Sequence, residues 1–262
     1  MADYDTQRVL NAQARSRTDT FAIDEGLRAY MLSVYNYMAI GLFITGVVAY
    51  LVFANAVTTN AAEAAGRLAN GTMLTSFGVT IYTTWVKWVL MLSPLALVFL
   101  FAARINSMST STAQIVFWSF AALMGASISS IFVVYTQSSI AQIFFITAAA
   151  FGALSLWGYT TKKDLSGWGS FLFMGLIGII IASIVNIFVG SSALQFAVSV
   201  ITVLVFAGLT AYDTQRLKDE YYTYAQSGGE AIGRSAIMGA LSLYLNFINM
   251  FMALLSLFGN RE

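Results

Sequence analysis

Cysteine and histidine are both absent from this 262-residue chain. Without cysteine there is no disulfide, zinc–thiolate centre, iron–sulfur cluster or thiol nucleophile. Without histidine there is no Ser-His-Asp triad, no imidazole-ligated haem and no side chain that titrates unperturbed near neutrality. Any response to pH must come from a carboxylate or a lysine. Charge is scarce too: 10% of the residues are Asp, Glu, Lys or Arg, against about 25% in soluble domains. That supply could not cover a water-soluble domain of this size. The formal net charge of +1 argues against a nucleic-acid partner, which calls for a basic patch or an extreme isoelectric point.

Apolar residues fill the space that charge leaves. They make up 58% of the chain, with a mean hydropathy of +0.75. A helix crossing a bilayer core of about 30 Å needs roughly 20 mostly apolar residues. Seven stretches qualify: Val34–Phe53, Trp88–Ala103, Ala113–Tyr135, Ile140–Tyr159, Trp168–Val189, Ala193–Tyr212 and Ala236–Phe258. The pattern predicts an all-α integral membrane protein of seven transmembrane helices, with the lipid bilayer as its first partner. The second span is the shortest and holds the only proline, Pro94, where a kink is expected. Residues 1–30 mix Arg8, Arg15, Arg17 and Arg28 with several acids, unlike the apolar core of a signal peptide. They read as a polar cytosolic tail ahead of a membrane domain over residues 31–262.

Basic residues set the orientation by the positive-inside rule. With the N-terminus inside, Arg8, Arg15, Arg17, Arg28, Arg104, Lys162, Lys163, Arg216, Lys218 and Arg234 are cytosolic. Arg67, Lys87 and Arg261 lie outside, which completes the 13. Seven spans then leave the C-terminus outside. The outer loop from Ala54 to Lys87 is the longest connection, with a short surface helix followed by interfacial aromatics expected. The polar stretch Thr214–Ser235, with Gly228-Gly229, reads as a long mobile inner loop. Glycines and serines within the spans (Gly125, Ser127, Ser129, Ser130, Gly152, Gly175, Gly178) suit close helix packing. Asn186 is a membrane amide with no evident partner. No glycine motif follows a strand and no GxxxxGK[ST] occurs, so no phosphate-binding loop or other cofactor site is expected.

Ionisable groups at membrane depth are costly and usually functional. Eleven of the twelve acids fall in tails or loops; Asp213 alone directly follows an apolar run. Two readings stand. Asp213 could be a helix-end carboxylate paired with Arg216 at i+3, or a partly desolvated carboxylate facing the bundle interior. In the last span, Asn246 and Asn249 are three residues apart on one helical face. Membrane amides need partners, either across helices to hold the bundle or in a polar core with Asp213. Asp213 lies nearer its span's edge than Asn246, so the two meet only if the cytosolic face is dished inward. Arg104 ends the second span on the same side, as an interfacial anchor or as a partner for the carboxylate. No paired nucleophile and base and no metal cluster appears at membrane depth, so neither an enzyme nor a catalytic or metal site is expected.

Three segments carry a resemblance: Gly208-Leu209-Thr210-Ala211-Tyr212-Asp213-Thr214-Gln215, the run Gly239-Ala240-Leu241-Ser242-Leu243-Tyr244-Leu245 through Phe251, and Ser129-Ser130-Ile131-Phe132. On these the chain resembles the Bax inhibitor family, the transmembrane Bax-inhibitor-motif proteins, and especially its bacterial branch. The resemblance implies six helices around a central seventh, location in a bacterial inner membrane, a pH-sensitive cation (calcium) leak and a link to stress control. In the family two aspartates share a proton, one in the sixth helix and one in the seventh, and an arginine of the second helix can lock them. Asp213 matches the first aspartate and Arg104 is assigned the arginine. Asn246 stands where the second aspartate belongs. Two close carboxylates cannot both ionise cheaply, whereas an amide donates to the ionised form. Weaker pH control near neutrality and weaker calcium attraction follow. The expected pathway therefore comprises Asp213, Asn246, Arg104 and Asn249. The alternative is a non-transporting stress regulator that binds a membrane protease or another membrane partner.

Overall fold

The computed structural model describes residues 2–224 and 228–261, with side chains from Glu25 onward. The charges of the first 24 residues therefore lie outside the described side chains. Helix α1 spans Ala2–Ala56. A hairpin of β1 (Gly66–Arg67) and β2 (Met73–Leu74) and a short α2 (Ser76–Thr83) follow. Next come α3 (Val86–Arg104), α4 (Thr110–Ile128), α5 (Ile131–Val134), α6 (Gln137–Thr160), α7 (Trp168–Val189), α8 (Ser192–Tyr224) and α9 (Gly229–Phe258). Seven spans among the described residues are long and apolar enough to cross a membrane, α4 and α5 together forming one of them. The molecule is a helical membrane protein.

The local chemistry explains the boundaries. Ser109 and Thr136 cap α4 and α6, each side chain accepting a backbone N–H three residues on. Pro94 lies inside α3 and cannot donate to the Leu90 carbonyl; the Ser93 hydroxyl donates to it instead, at 3.0 Å. At the end of α7, Gly190 adopts φ +64°, and the side chain of Asn186 accepts the Ser191 N–H at 3.0 Å. The partner of this amide is thus the turn into α8. The packed part of α1 begins at Leu27 and Tyr30, both buried, so the helix passes straight through the tail boundary drawn at residue 30.

Helix α9 is the axis. It packs chiefly against α8, α1, α6 and α4, while α3 lies on α4 and α7 on α8 at the periphery. Of the six helices around the seventh, four touch it directly and two flank it. Tyr244, fully buried on α9, meets the rings of Phe117 and Phe120 edge-on at 5.9 and 5.6 Å. Its hydroxyl bonds to Thr45 Oγ1 at 2.7 Å, and Thr45 donates in turn to the Ala121 carbonyl. One phenol thereby fastens the axis to α1 and α4. The peripheral side chains Ile177, Ile180, Ile184 and Phe188 on α7 are exposed, as expected where hydrocarbon rather than protein covers them.

Three sequence expectations change. The inner connection is no long loop: α8 stays helical to Tyr224 and α9 starts at Gly229, because the polar residues after Asp213 pair along the helix. Residues 225–227 of the expected loop lie outside the described ones. In the outer loop the helix falls in the Thr-rich segment, capped by Thr75, while the small-residue stretch forms turns and β1. There Tyr82 donates to Ser129 Oγ at 3.0 Å, and burial pushes its phenol above its usual pKa. Of the span glycines, Gly125 backs onto the Thr45 backbone and Gly175 onto Val205, but Gly152 and Gly178 face open space.

The tightest approach of a glycine to the backbone of another span joins α6 to α8. A Cβ on Gly158 would lie 2.3 Å from the Ala211 carbonyl oxygen, a backbone atom that cannot step aside. Gly158→Val should lower stability by about 1–3 kcal/mol, the usual cost of overpacking, measured as a lower melting temperature in detergent. An unchanged melting temperature would show that the two helices are not in contact there.

Candidate functional site

Asp213 lies about three turns before the end of α8, not at a helix terminus. This removes the depth mismatch with Asn246, because the helix extends well past its apolar run. Glycines bracket the carboxylate: Gly158 of α6 lies against Ala211, and Gly239 of α9 against Leu217. These approaches bring α8 deep between its neighbours, and Asp213 keeps only 6% of its surface exposed. Thr210 and Thr214 donate back to the Phe206 and Thr210 carbonyls, at 2.7 and 2.8 Å, which satisfies their hydroxyls within the helix.

Both carboxylate oxygens are engaged. Asn246 Nδ2 donates to Oδ2 at 2.7 Å, and Arg216 Nη2 lies 3.1 Å from Oδ1. The interior-facing and helix-paired arrangements therefore coexist. Arg216 also reaches outward: its Nε is 3.4 Å from Glu220 Oε1, close enough for an ion pair but not aligned for hydrogen bonding. A weak contact from Nη2 to Ser242 Oγ at 3.4 Å touches α9. The guanidinium bridges two carboxylates from one helix, with residues 213, 216 and 220 on a single face.

Beyond Arg216 lies a polar cavity of about 400 Å³, lined by Asn106, Arg216, Glu220, Arg234, Ser235 and Ser242 among others. Arg216 lines this cavity and Asp213 does not. The guanidinium therefore stands between the buried carboxylate and the cavity. At the cavity's margin Tyr30 joins Ser235 through a 2.9 Å hydroxyl bond, and Arg234 pairs with Glu230 at 3.3 Å.

Of the four residues assigned from sequence, the structure brings together Asp213 and Asn246. Asn249 instead donates to the Leu245 carbonyl of its own helix at 2.8 Å. Arg104 is exposed at the end of α3 and forms no ion pair among the described residues. Arg216, read from sequence only as a helix neighbour of Asp213, occupies the place beside the carboxylate. Glu220 and Ser242 were missed; the i, i+3, i+7 spacing of Asp213, Arg216 and Glu220 was the available signal. Gln215 has a further role: it accepts from the Leu165 N–H at 2.7 Å and donates to the Lys163 carbonyl at 2.8 Å. This ties the α6–α7 loop to α8. In that loop Asp164 accepts the Ser166 N–H, which holds its carboxyl below the usual range.

Replacing Asn246 with leucine removes the donor to Asp213 Oδ2 while keeping bulk. A hydrogen bond to a charged group contributes about 1.5–3 kcal/mol, so Asn246→Leu should unfold at lower temperature in neutral detergent solution. Asp213→Asn, added to it, should recover part of that loss, since no charge is then left uncompensated. No loss in the single variant would contradict the arrangement.

The chain matches the family model described as Inhibitor of apoptosis-promoting Bax1 over residues 27–262. It is 44% identical over 263 residues to protein RP147 of Rickettsia prowazekii (strain Madrid E), with all of each chain covered. It is 46% identical over 244 residues to a protein of Caulobacter vibrioides, covering 92% of both. It is also similar to the inner membrane protein YbhL of Escherichia coli (strain K12), at 44% identity over 238 residues, 90% of this chain and 94% of that one. Seven spans, a Tyr-Asp-Thr-Gln segment whose Asp213 and Thr214 are buried, and these matches together place the chain in the Bax inhibitor family.

Proposed function

We propose that the protein is a cation leak of the Bax inhibitor type, with calcium as its cargo, and that it is a transporter rather than an enzyme. By analogy with the E. coli relative it would lie in a bacterial inner membrane. The excess of basic residues on one side supports a cytosolic N-terminus and polar cavity and an outer C-terminus. The observation that carries this reading is the placement of Arg216 between Asp213 and the cavity. A buried carboxylate is the group in this bundle that would attract a divalent cation, and a guanidinium against it repels one. With Arg216 in place the pathway is closed. Withdrawal of Arg216 toward Glu220 exposes Asp213 Oδ1, with the Asn246 side-chain oxygen as a neutral neighbour. In this reading Arg216 takes the locking role that the family resemblance gave to Arg104.

Asn246 gives this chain a single carboxylate where two would share a proton. Its amide donates to one oxygen of Asp213 but cannot share a proton with it, so this chain would show weaker pH control than a site with two carboxylates. Substituting a second carboxylate restores the competition, because two close carboxylates cannot both ionise cheaply.

Calcium flux into liposomes tests the reading. Asp213→Asn should cut flux by about tenfold, the factor that 1.4 kcal/mol makes, and Arg104→Gln should leave it unchanged. Asn246→Asp should raise flux and make it vary more steeply with pH between about 5 and 8 than in the unmodified protein. Equal flux and equal pH dependence in both proteins would sink the role given to Asn246. No calcium flux from any of them would favour a non-transporting regulator.

A further inference from the structure

An open groove runs along one flank of the bundle, between α1 and α6. It consists of two cavities of about 740 and 730 Å³ that share Ala39, Leu42 and Phe144. The two framing helices do not close over the axis, so Phe247 and Phe251 of α9 line the groove. Glycines keep it open: a Cβ on Gly46 of α1 or on Gly152 of α6 would meet no atom within 4 Å. An apolar channel at membrane depth fills with hydrocarbon, and its ends decide which lipid is preferred.

The ends differ. The second cavity runs along α1 from Arg28 to Leu42, about 21 Å at 1.5 Å per residue. That is one leaflet of a roughly 30 Å core together with its interface. At the mouth stands Arg28, exposed and without an ion pair among the described residues. Tyr159 lines the cavity near it, Tyr35 and Ser155 are bonded to each other deeper along the wall, and no acidic side chain among the described residues lines this cavity. Lys218 lies beside it, its Nζ 5.5 Å from the Tyr159 ring centroid. A cationic mouth above an apolar trough one leaflet deep complements a phosphate headgroup on an acyl chain.

We propose that this groove is a binding site for an anionic phospholipid of the leaflet on the Arg28 side. The phosphate sits at Arg28 and one acyl chain lies along Leu42, Phe144 and Phe247. The inference is independent of the ion pathway.

Native mass spectrometry of the full-length protein in mild detergent tests it, with phosphatidylglycerol or phosphatidylcholine added. The unmodified protein should retain phosphatidylglycerol over phosphatidylcholine by about fivefold, the effect of one arginine near an anionic headgroup. Arg28→Gln should abolish that preference. Gly152→Phe, whose Cβ would meet no atom within 4 Å and whose ring would extend into the groove, should lose the bound phosphatidylglycerol at an unchanged melting temperature; Gly152→Leu provides a smaller plug should the phenylalanine impair folding. Equal retention of the two lipids by the unmodified protein would overturn the assignment. So would full phosphatidylglycerol retention by a folded groove-filled variant.

Discussion

A carboxylate buried inside a membrane bundle must be compensated locally, since no water reaches it to do so. Asp213 meets this constraint with one amide from α9 and one guanidinium from its own helix. The two partners are unequal in kind. Asn246 is fixed on the buried axis and belongs to the packing. Arg216 is part-exposed, shared with Glu220 and in contact with a polar cavity. Removing the first leaves a charge stranded, whereas moving the second opens the carboxylate to solvent and ions.

The rest of the bundle holds α8 where this pairing can form. Glycines at 158 and 239 let neighbours approach on either side of Asp213, and Gln215 pins the adjoining loop. On the far side of the axis, Tyr244 ties α9 to α1 and α4 through its hydroxyl and the rings it meets. Two of the three segments that carry the family resemblance, 208–215 and 239–251, are thus the ones that fix the axis and seat the carboxylate.

Much of this was legible in the residues themselves. Seven apolar runs, long relative to a bilayer, sufficed for the spans, and scarcity of charge singled out Asp213. The central place of α9 follows from the family resemblance and not from the residues alone, because the contacts that make it the axis are tertiary. The segment after Asp213 misled because polarity signals a loop only when side chains lack partners along the chain. Here Asp213, Arg216 and Glu220 recur on one helical face and extend α8 to Tyr224. Arg104 was selected for its position at a span end, although a long exposed side chain satisfies the same pattern by reaching the headgroups. Gly152 was read as a packing residue, yet spacing cannot distinguish a glycine that admits a neighbour from one that leaves a gap.

The central claim is that Arg216 restrains cation passage by neutralising Asp213, and a double-mutant cycle on calcium flux tests it most directly. Arg216→Gln should raise flux when residue 213 is aspartate and have no effect when it is asparagine, because the guanidinium then has no carboxylate to guard. The same fold-change in both backgrounds would contradict the account.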